Sequence, residues 1–221
     1  MNALLPPTRV AMLPDVEAER LELADALDGL DAEQWRAPSL CRGWAVRDVV
    51  AHLTLSTRQT VPATAWRVLR ARGSFDRAEA GWAREQARRY APAELVGRLR
   101  ATAGSQRRLR ISSPMDPLCD VVVHRQDIAR PLRLHLPSDP ARVVAALRHA
   151  WVNPFYGRPQ RRFAGLHLQA TDADWSAGAR GPRVRARAED LLLVATGRPA
   201  GLAGLEGPGA AEVAARLGWE R

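Results

Sequence analysis

Asp120 and His124 stand four residues apart in the stretch Asp120-Val121-Val122-Val123-His124-Arg125-Gln126-Asp127-Ile128, which lies between Pro117 and Pro131. Proline fits the first turn of a helix and turns the residue before it away from helix, so one helix starting near Pro117 and stopping before Pro131 is expected. At about 100° per residue, Asp120, His124 and Asp127 share a face, beside Val121 and Ile128. A carboxylate one turn ahead of an imidazole can give a metal ion two ligands from one rigid element. The same spacing also makes a plain hydrogen bond, so the metal reading depends on a third ligand from elsewhere.

Among the five histidines, His52 is the best third ligand. It follows Gly43-Trp44-Ala45-Val46-Arg47-Asp48-Val49-Val50-Ala51 and lies at the margin of a helical apolar stripe, about 60° from Val49. A residue there can point along the seam between two helices, although it can equally be a hydrogen-bonded core histidine. His52, Asp120 and His124 together would make a two-imidazole, one-carboxylate shell with an open fourth position, the pattern of a catalytic zinc site. Iron and nickel accept the same donors. Asp127 either orients an imidazole or pairs with Arg130. His135, His149 and His167 have no carboxylate or histidine at ligand spacing and read as structural. Cys119 lies about 100° from Asp120, off the ligand face. Cys41 falls in the loop before Trp44 and reads as a free thiol rather than a nucleophile. The sequence contains no nucleophile-elbow serine and no phosphate-binding glycine loop.

The elements that must position these residues read as helices up to Leu136. Pro14-Asp15 precedes a pattern of Val16, Leu21, Leu23, Leu27 and Leu30, with Gly29 near its stop. Asp31 is a candidate cap for a short turn carrying Trp35. After the loop Pro38–Gly43, a helix from Trp44 places Val46, Val49, Val50 and Leu53 on one side; it is expected to run to about Arg72 with a kink at Pro62. Ser74 can cap a helix through Ala78, Trp82 and Ala83 to Tyr90. Pro92 sits in the first turn of the next, which carries Leu95, Val96, Leu99 and Ala103. A loop at Ile111–Pro114 leads into the helix of Asp120. These elements predict an up-and-down four-helix bundle over residues 1–136.

Pro137-Ser138-Asp139-Pro140 marks a boundary, and residues 137–221 read as a small α+β domain. A helix through Val143, Val144, Leu147 and Trp151 is followed by a strand over Phe163–Ala170 and a glycine-rich turn from Trp175 to Gly181. Arg183–Ala186 forms a partner strand, a helix from Arg187 closes at Gly197, and a last helix carries Val213 and Leu217. The fold class is α+β, mainly α.

At 221 residues with 46% hydrophobic and 26% charged content, the chain reads as a soluble globular protein. No apolar run is long enough to span a bilayer, and Met1 to Leu13 do not read as a secretory signal. Two cysteines fit a reducing compartment, so a cytoplasmic location without membrane association is expected. The net charge of +9 and pI near 11.2 invite a nucleic-acid reading. However, all 33 basic residues are arginine, spread along the chain and alternating with acids, as in Arg77-Glu79-Arg84-Glu85. This pattern reads as solvated helix faces rather than as a concentrated phosphate-binding stripe.

Glu19-Arg20-Leu21, Trp35, Pro38 and the run Cys41-Arg42-Gly43-Trp44-Ala45-Val46-Arg47-Asp48-Val49-Val50-Ala51-His52-Leu53 resemble the N-terminal signature of the mycothiol-dependent maleylpyruvate isomerase family. These are DinB-like metal-binding four-helix bundles of actinobacteria. Asp120 through Leu132 resembles the second signature. Ala170-Thr171-Asp172-Ala173-Asp174-Trp175, Leu191 to Arg198 and Leu205-Glu206-Gly207-Pro208-Gly209 resemble the family's C-terminal domain. The resemblance places metal ligands at His52, Asp120 and His124 and a functional arginine at Arg198. It implies a divalent metal, zinc before nickel or iron, with mycothiol as thiol cosubstrate and a small electrophilic substrate. Asp120 stands where the characterised isomerase type has glutamate, so thiol-dependent isomerisation and S-transfer both remain open. Hydrolysis at the same site and a non-catalytic regulatory or stress role are the alternatives, in a monomer or homodimer.

Overall fold

Pro14 lies inside the first helix rather than ahead of it: α1 spans Arg9–Asp28. The computed structural model describes residues 9–105, 107 and 112–218, and the backbone alone for residues 9–12. Ile111 of the expected loop and residues 1–8 of the opening stretch lie outside the described residues. Proline removes one amide donor from the ladder, and α1 continues on both sides of it. Val16, Leu23 and Leu27 are buried, but Leu21 is 38% exposed. Leu21 is turned about 140° from Val16, whereas Leu23 and Leu27 fall within about 20° of it.

Asp31 Oδ1 accepts from the amides of Glu33 and Gln34 at 2.8 Å each, and this turn buries Trp35. The loop from Pro38 closes when Pro38 bridges to Ala45. Asp48 Oδ2 then accepts the Ala45 amide at 2.9 Å, starting α2 at Val46–Leu53.

The expected long helix to Arg72 is two helices, with α3 at Val61–Arg70. Between them the hydroxyls of Thr54 and Ser56 bond back to the carbonyls of Ala51 and Leu53 at 2.7 and 3.2 Å, competing with the helical ladder. Pro62 therefore begins a helix, where its missing amide costs nothing, instead of kinking one.

Ser74 caps α4, Phe75–Arg89, by accepting from the Arg77 amide at 3.2 Å. Helix α5, Pro92–Ala101, opens with proline in its first turn, and α6 spans Asp116–Ala129.

Helices α1 and α2 each pack against both α5 and α6, which closes a four-helix bundle. Its shared core includes Leu27, Val49, Leu53, Leu95, Val121 and Ile128. Helix α4 lies along α2, and α3 against α4. A buried ion pair ties α1 to α6: Arg125 Nη1 donates to Glu19 at 2.8 Å and to Glu22 at 3.0 Å. The Arg125 Nε donates to the Leu136 carbonyl at 3.1 Å.

The chain divides into two compact units between Leu136 and Pro137. In the second, Asp139 caps α7, Pro140–Val152, by accepting from Ala141 and Arg142. A four-residue helix α8, Pro159–Arg162, follows. The expected strand from Phe163 is shorter: β1 spans His167–Ala170, because Gly165 turns the chain at φ +83°.

Part of the expected turn after Trp175 pairs as β2, Ser176–Ala177, antiparallel to β1. Strand β3, Arg183–Ala186, runs parallel to β1 on its other side, giving the order β2-β1-β3. Helix α9, Ala188–Ala195, packs on α7 and ends where Gly197 takes φ +82°. Helix α10, Ala210–Arg216, anchors through buried Val213. The fold is α+β and mainly α.

Candidate functional site

Helix α2 carries His52 in its last turn, and α6 carries Asp120 and His124 on one face. The two helices pack together in the bundle. Asp120 Oδ1 lies 3.4 Å from His52 Nε2 and 3.3 Å from His124 Nε2. The imidazoles meet edge to face with ring centroids 5.0 Å apart, and all three donor atoms fall within 4.8 Å of one another. A tetrahedral ion with donors at about 2.05 Å separates any two of them by roughly 3.3 Å. The two histidine–aspartate separations are close to that edge, and the two imidazole nitrogens lie within 4.8 Å of each other. The residues therefore fit a divalent ion in both donor type and spacing.

The cluster is electrostatically coupled. Burial would raise the Asp120 pKa, but the neighbouring imidazoles hold it far below the ordinary carboxylate range. Burial would lower both histidines; Asp120 and Glu79 leave His52 raised, and Asp120, Asp127 and Cys41 leave His124 raised well above 6.5. Arg20 of α1 is also buried, with Nη1 donating to the Thr102 carbonyl at 3.0 Å and Nη2 to Ser56 Oγ at 2.9 Å. Burial lowers its pKa while the charge of Asp120 draws it upward.

Behind His124, the fully buried Asp127 accepts from Nδ1 at 2.8 Å. This hydrogen bond is the one that the orienting reading of Asp127 requires. Cys41 Sγ donates to the same Asp127 oxygen at 3.1 Å and lies 3.7 Å from His124 Nδ1. Cys41, His124 and Asp127 form a second group of close donors. Their 2.8 Å contact is too short for two ligands of one tetrahedral ion, and the group reads as hydrogen bonds. No linear spacing announces Cys41. Its loop reaches the site because the Leu40 amide bonds the Asp127 carbonyl at 3.0 Å.

Behind His52 stands Glu79 of α4, with Oε2 3.5 Å from Nδ1. Glu79 accepts from Gln59 Nε2 at 2.9 Å. Of the residues read as a solvated face, Arg77, Arg84 and Glu85 are exposed, but Glu79 is only 6% exposed and departs from that reading. Glu79 lies within about 60° of Trp82, inside the buried stripe of α4, and that was its available signal. The Trp44 ring packs edge-on against His52, with centroids 5.5 Å apart.

Arg198 belongs to the second unit, just ahead of the 3-10 turn Pro199–Gly204, and its Nη1 donates to the Thr196 carbonyl at 2.9 Å. His149 contacts Asn153 at 3.1 Å, and His167 Nδ1 donates to the Gly178 carbonyl at 2.6 Å. His135 is exposed and Cys119 is buried.

A four-helix bundle with two imidazoles and a carboxylate gathered between its helices, followed by a small α+β unit, defines the class of fold. Residues 16–111 match the family model of the mycothiol maleylpyruvate isomerase N-terminal domain. Over those residues the N-terminal unit is similar to the family whose signatures the sequence resembles. That range includes Cys41, His52 and Glu79; Asp120 and His124 lie beyond it.

Two solved structures share the fold: a mutant of the mycothiol-dependent maleylpyruvate isomerase at TM-score 0.60, and that isomerase itself at 0.56. Each is 12% identical to this chain, and each comparison covers 92% of this chain and 94% of the other. No curated protein matches the sequence.

Proposed function

We propose that the protein is a metal-dependent enzyme that uses a low-molecular-weight thiol, mycothiol, to isomerise a small electrophilic substrate of the maleylpyruvate type. The observation that carries this reading is the meeting of His52 Nε2, Asp120 Oδ1 and His124 Nε2 within 4.8 Å of one another, with Asp120 Oδ1 3.4 and 3.3 Å from the two nitrogens. The family match over residues 16–111 and the shared fold give the reading its chemical class.

His52, Asp120 and His124 would hold a divalent ion, with zinc favoured by the two-nitrogen, one-oxygen set and nickel or iron compatible with it. Such an ion, when bound, supplies a positive centre that lowers the pKa of a thiol. The protein's part is to hold the donors. Asp120 brings one negative charge, Asp127 keeps the His124 Nδ1 proton on the outer side, and Nε2 is left facing inward.

The reaction is a reversible addition. The thiol sulfur bonds to one carbon of a cis double bond conjugated to a carbonyl, the resulting single bond rotates, and elimination restores the thiol and the trans alkene. Arg198 is assigned a substrate carboxylate, which a guanidinium can hold by two parallel hydrogen bonds. Release of the adduct before elimination would make the same machinery an S-transferase. Asp120 stands in place of the glutamate of the characterised isomerase type, which is why S-transfer is kept beside isomerisation.

A cytoplasmic setting accords with two free cysteines. No helix among the described residues is long and apolar enough to cross a membrane.

The test is metal analysis of purified protein, followed by mycothiol titration and turnover of maleylpyruvate with and without the thiol. Stoichiometric metal, lost in His52→Ala and His124→Ala, with thiol-dependent turnover is the expected result. Metal binding unchanged by both substitutions overturns the site. Turnover independent of thiol would instead make the protein a hydrolase, and bound metal with no turnover would make it a binding protein.

A further inference from the structure

We propose that Glu79 is the positioning carboxylate of His52, held in place by Gln59, so that both imidazoles of the site present Nε2 inward against a carboxylate behind. The inference rests on the metal reading above and names residues that neither the signatures nor helical spacing had assigned to the site.

Glu79 is a buried carboxylate on α4, and its polar partners among the described residues are Gln59 Nε2 at 2.9 Å and His52 Nδ1 at 3.5 Å. The His52 Nδ1 is itself buried and makes no hydrogen bond at its present separation. Buried polar atoms are nearly always satisfied, and the nearest acceptor for this one is Glu79 Oε2. A shift of the ring by a few tenths of an ångström brings the pair within hydrogen-bond range.

Once Nε2 gives its lone pair to an ion, Nδ1 must carry the proton, and Glu79 is the group placed to accept from it. Glu79 is not a fourth ligand. It faces Nδ1, so the His52 ring stands between it and the point where the three donor atoms meet. The arrangement repeats the one at His124, where Asp127 accepts from Nδ1 at 2.8 Å.

This pairing also gives a purpose to two departures from regular helix. The break between α2 and α3 supplies Gln59, whose amide donates to Glu79 and keeps the carboxylate turned toward His52. The polar position inside the buried stripe of α4 supplies Glu79 itself.

The experiment is zinc affinity by chelator competition on the full chain, paired with NMR observation of the His52 ring protons in the zinc-loaded protein. The parent is compared with Glu79→Leu, Glu79→Gln and Gln59→Leu. Loss of an outer-shell partner typically weakens metal binding by about 10–100-fold, and Glu79→Leu is expected in that range. Glu79→Gln keeps an acceptor oxygen without the charge and should fall between it and the parent, with Gln59→Leu shifted the same way. The His52 Nδ1 proton should be downfield and slow to exchange in the parent and lose both properties in Glu79→Leu.

Equal affinity and an unchanged Nδ1 proton in all three variants overturn the proposal while leaving the metal site standing. A parent that binds no zinc overturns both. Should Glu79→Leu fail to fold, Glu79→Gln and Gln59→Leu carry the same two readouts and decide the matter.

Discussion

The His124 Nδ1 donates to Asp127 Oδ2 at 2.8 Å, three residues further along α6, while its Nε2 turns toward Asp120 Oδ1. One helix therefore fixes both the tautomer and the direction of an imidazole. Asp127 accepts a second hydrogen bond from Cys41 Sγ at 3.1 Å. Replacing Asp127 with alanine is expected to weaken zinc binding by about 10–100-fold, as outer partners of metal-bound histidines generally do. Cys41→Ala removes one donor to Asp127 but leaves its bond to His124, so a smaller loss is expected. Chelator competition on the two variants gives the order. Equal losses would mean that the thiol is a ligand in its own right.

Asp120 is seated for its own length. Its Oδ1 already lies at the tetrahedral edge distance from both Nε2 atoms. Glutamate, one methylene longer on the same backbone, would carry the carboxylate past that point or force it to fold back. Asp120→Glu is therefore expected to bind zinc more weakly than the parent, even though glutamate is the residue of the characterised isomerase type. Tighter binding together with faster turnover of maleylpyruvate would reverse this reading and mark Asp120 as a departure that costs isomerase activity.

Arg125 follows His124 directly and locks α6 to α1 through the fully buried Glu19. Breaking a buried ion pair by removing one member generally costs about 3–5 kcal/mol. Arg125→Met should destabilise the fold by that order in urea unfolding. The double variant Arg125→Met with Glu19→Leu should recover much of the loss, since it removes both charges together. A double variant no more stable than the single one would show that the pair is not the source of the effect.

The bundle and its three central side chains were legible because each rests on a local pattern. Asp120 and His124 share a face by helical spacing, and His52 sits at the edge of the stripe formed by Val46, Val49, Val50 and Leu53. Cys41 was not legible, because a hydrogen bond from Leu40 to the far end of α6 carries its loop to the site. Glu79 was masked by charged neighbours: Arg77 and Arg84 are exposed, and alternation with them reads as a solvated face. The end of α2 depends on hydroxyls that compete for helix carbonyls, which apolar periodicity does not register. Pairing of β1 with β3 in parallel likewise depends on a long-range choice that the pattern of each strand leaves open.

The same cluster sets the pH behaviour of the metal-free protein. Burial lowers the affinity of His52 and His124 for protons, but the surrounding carboxylates more than offset it, and both pKa values end above 6.5. A histidine raised in the folded state contributes stability that is fully present below the unfolded value and is lost as pH rises through the folded one. Asp120 is depressed below 3.8, so its contribution is present above that value and is lost as pH falls through its folded pKa. The metal-free protein should therefore be most stable between about pH 4 and 6.5 and lose stability as pH climbs further. Zinc displaces those imidazole protons, so its affinity should rise with pH through the same upper range, and binding at neutral pH should release protons. Thermal unfolding of chelator-treated protein across pH tests the first expectation. Calorimetric zinc titration in two buffers of different ionisation heat tests the second. Binding heat that is the same in both buffers would mean that no proton leaves, and that the imidazoles are neutral before the ion arrives.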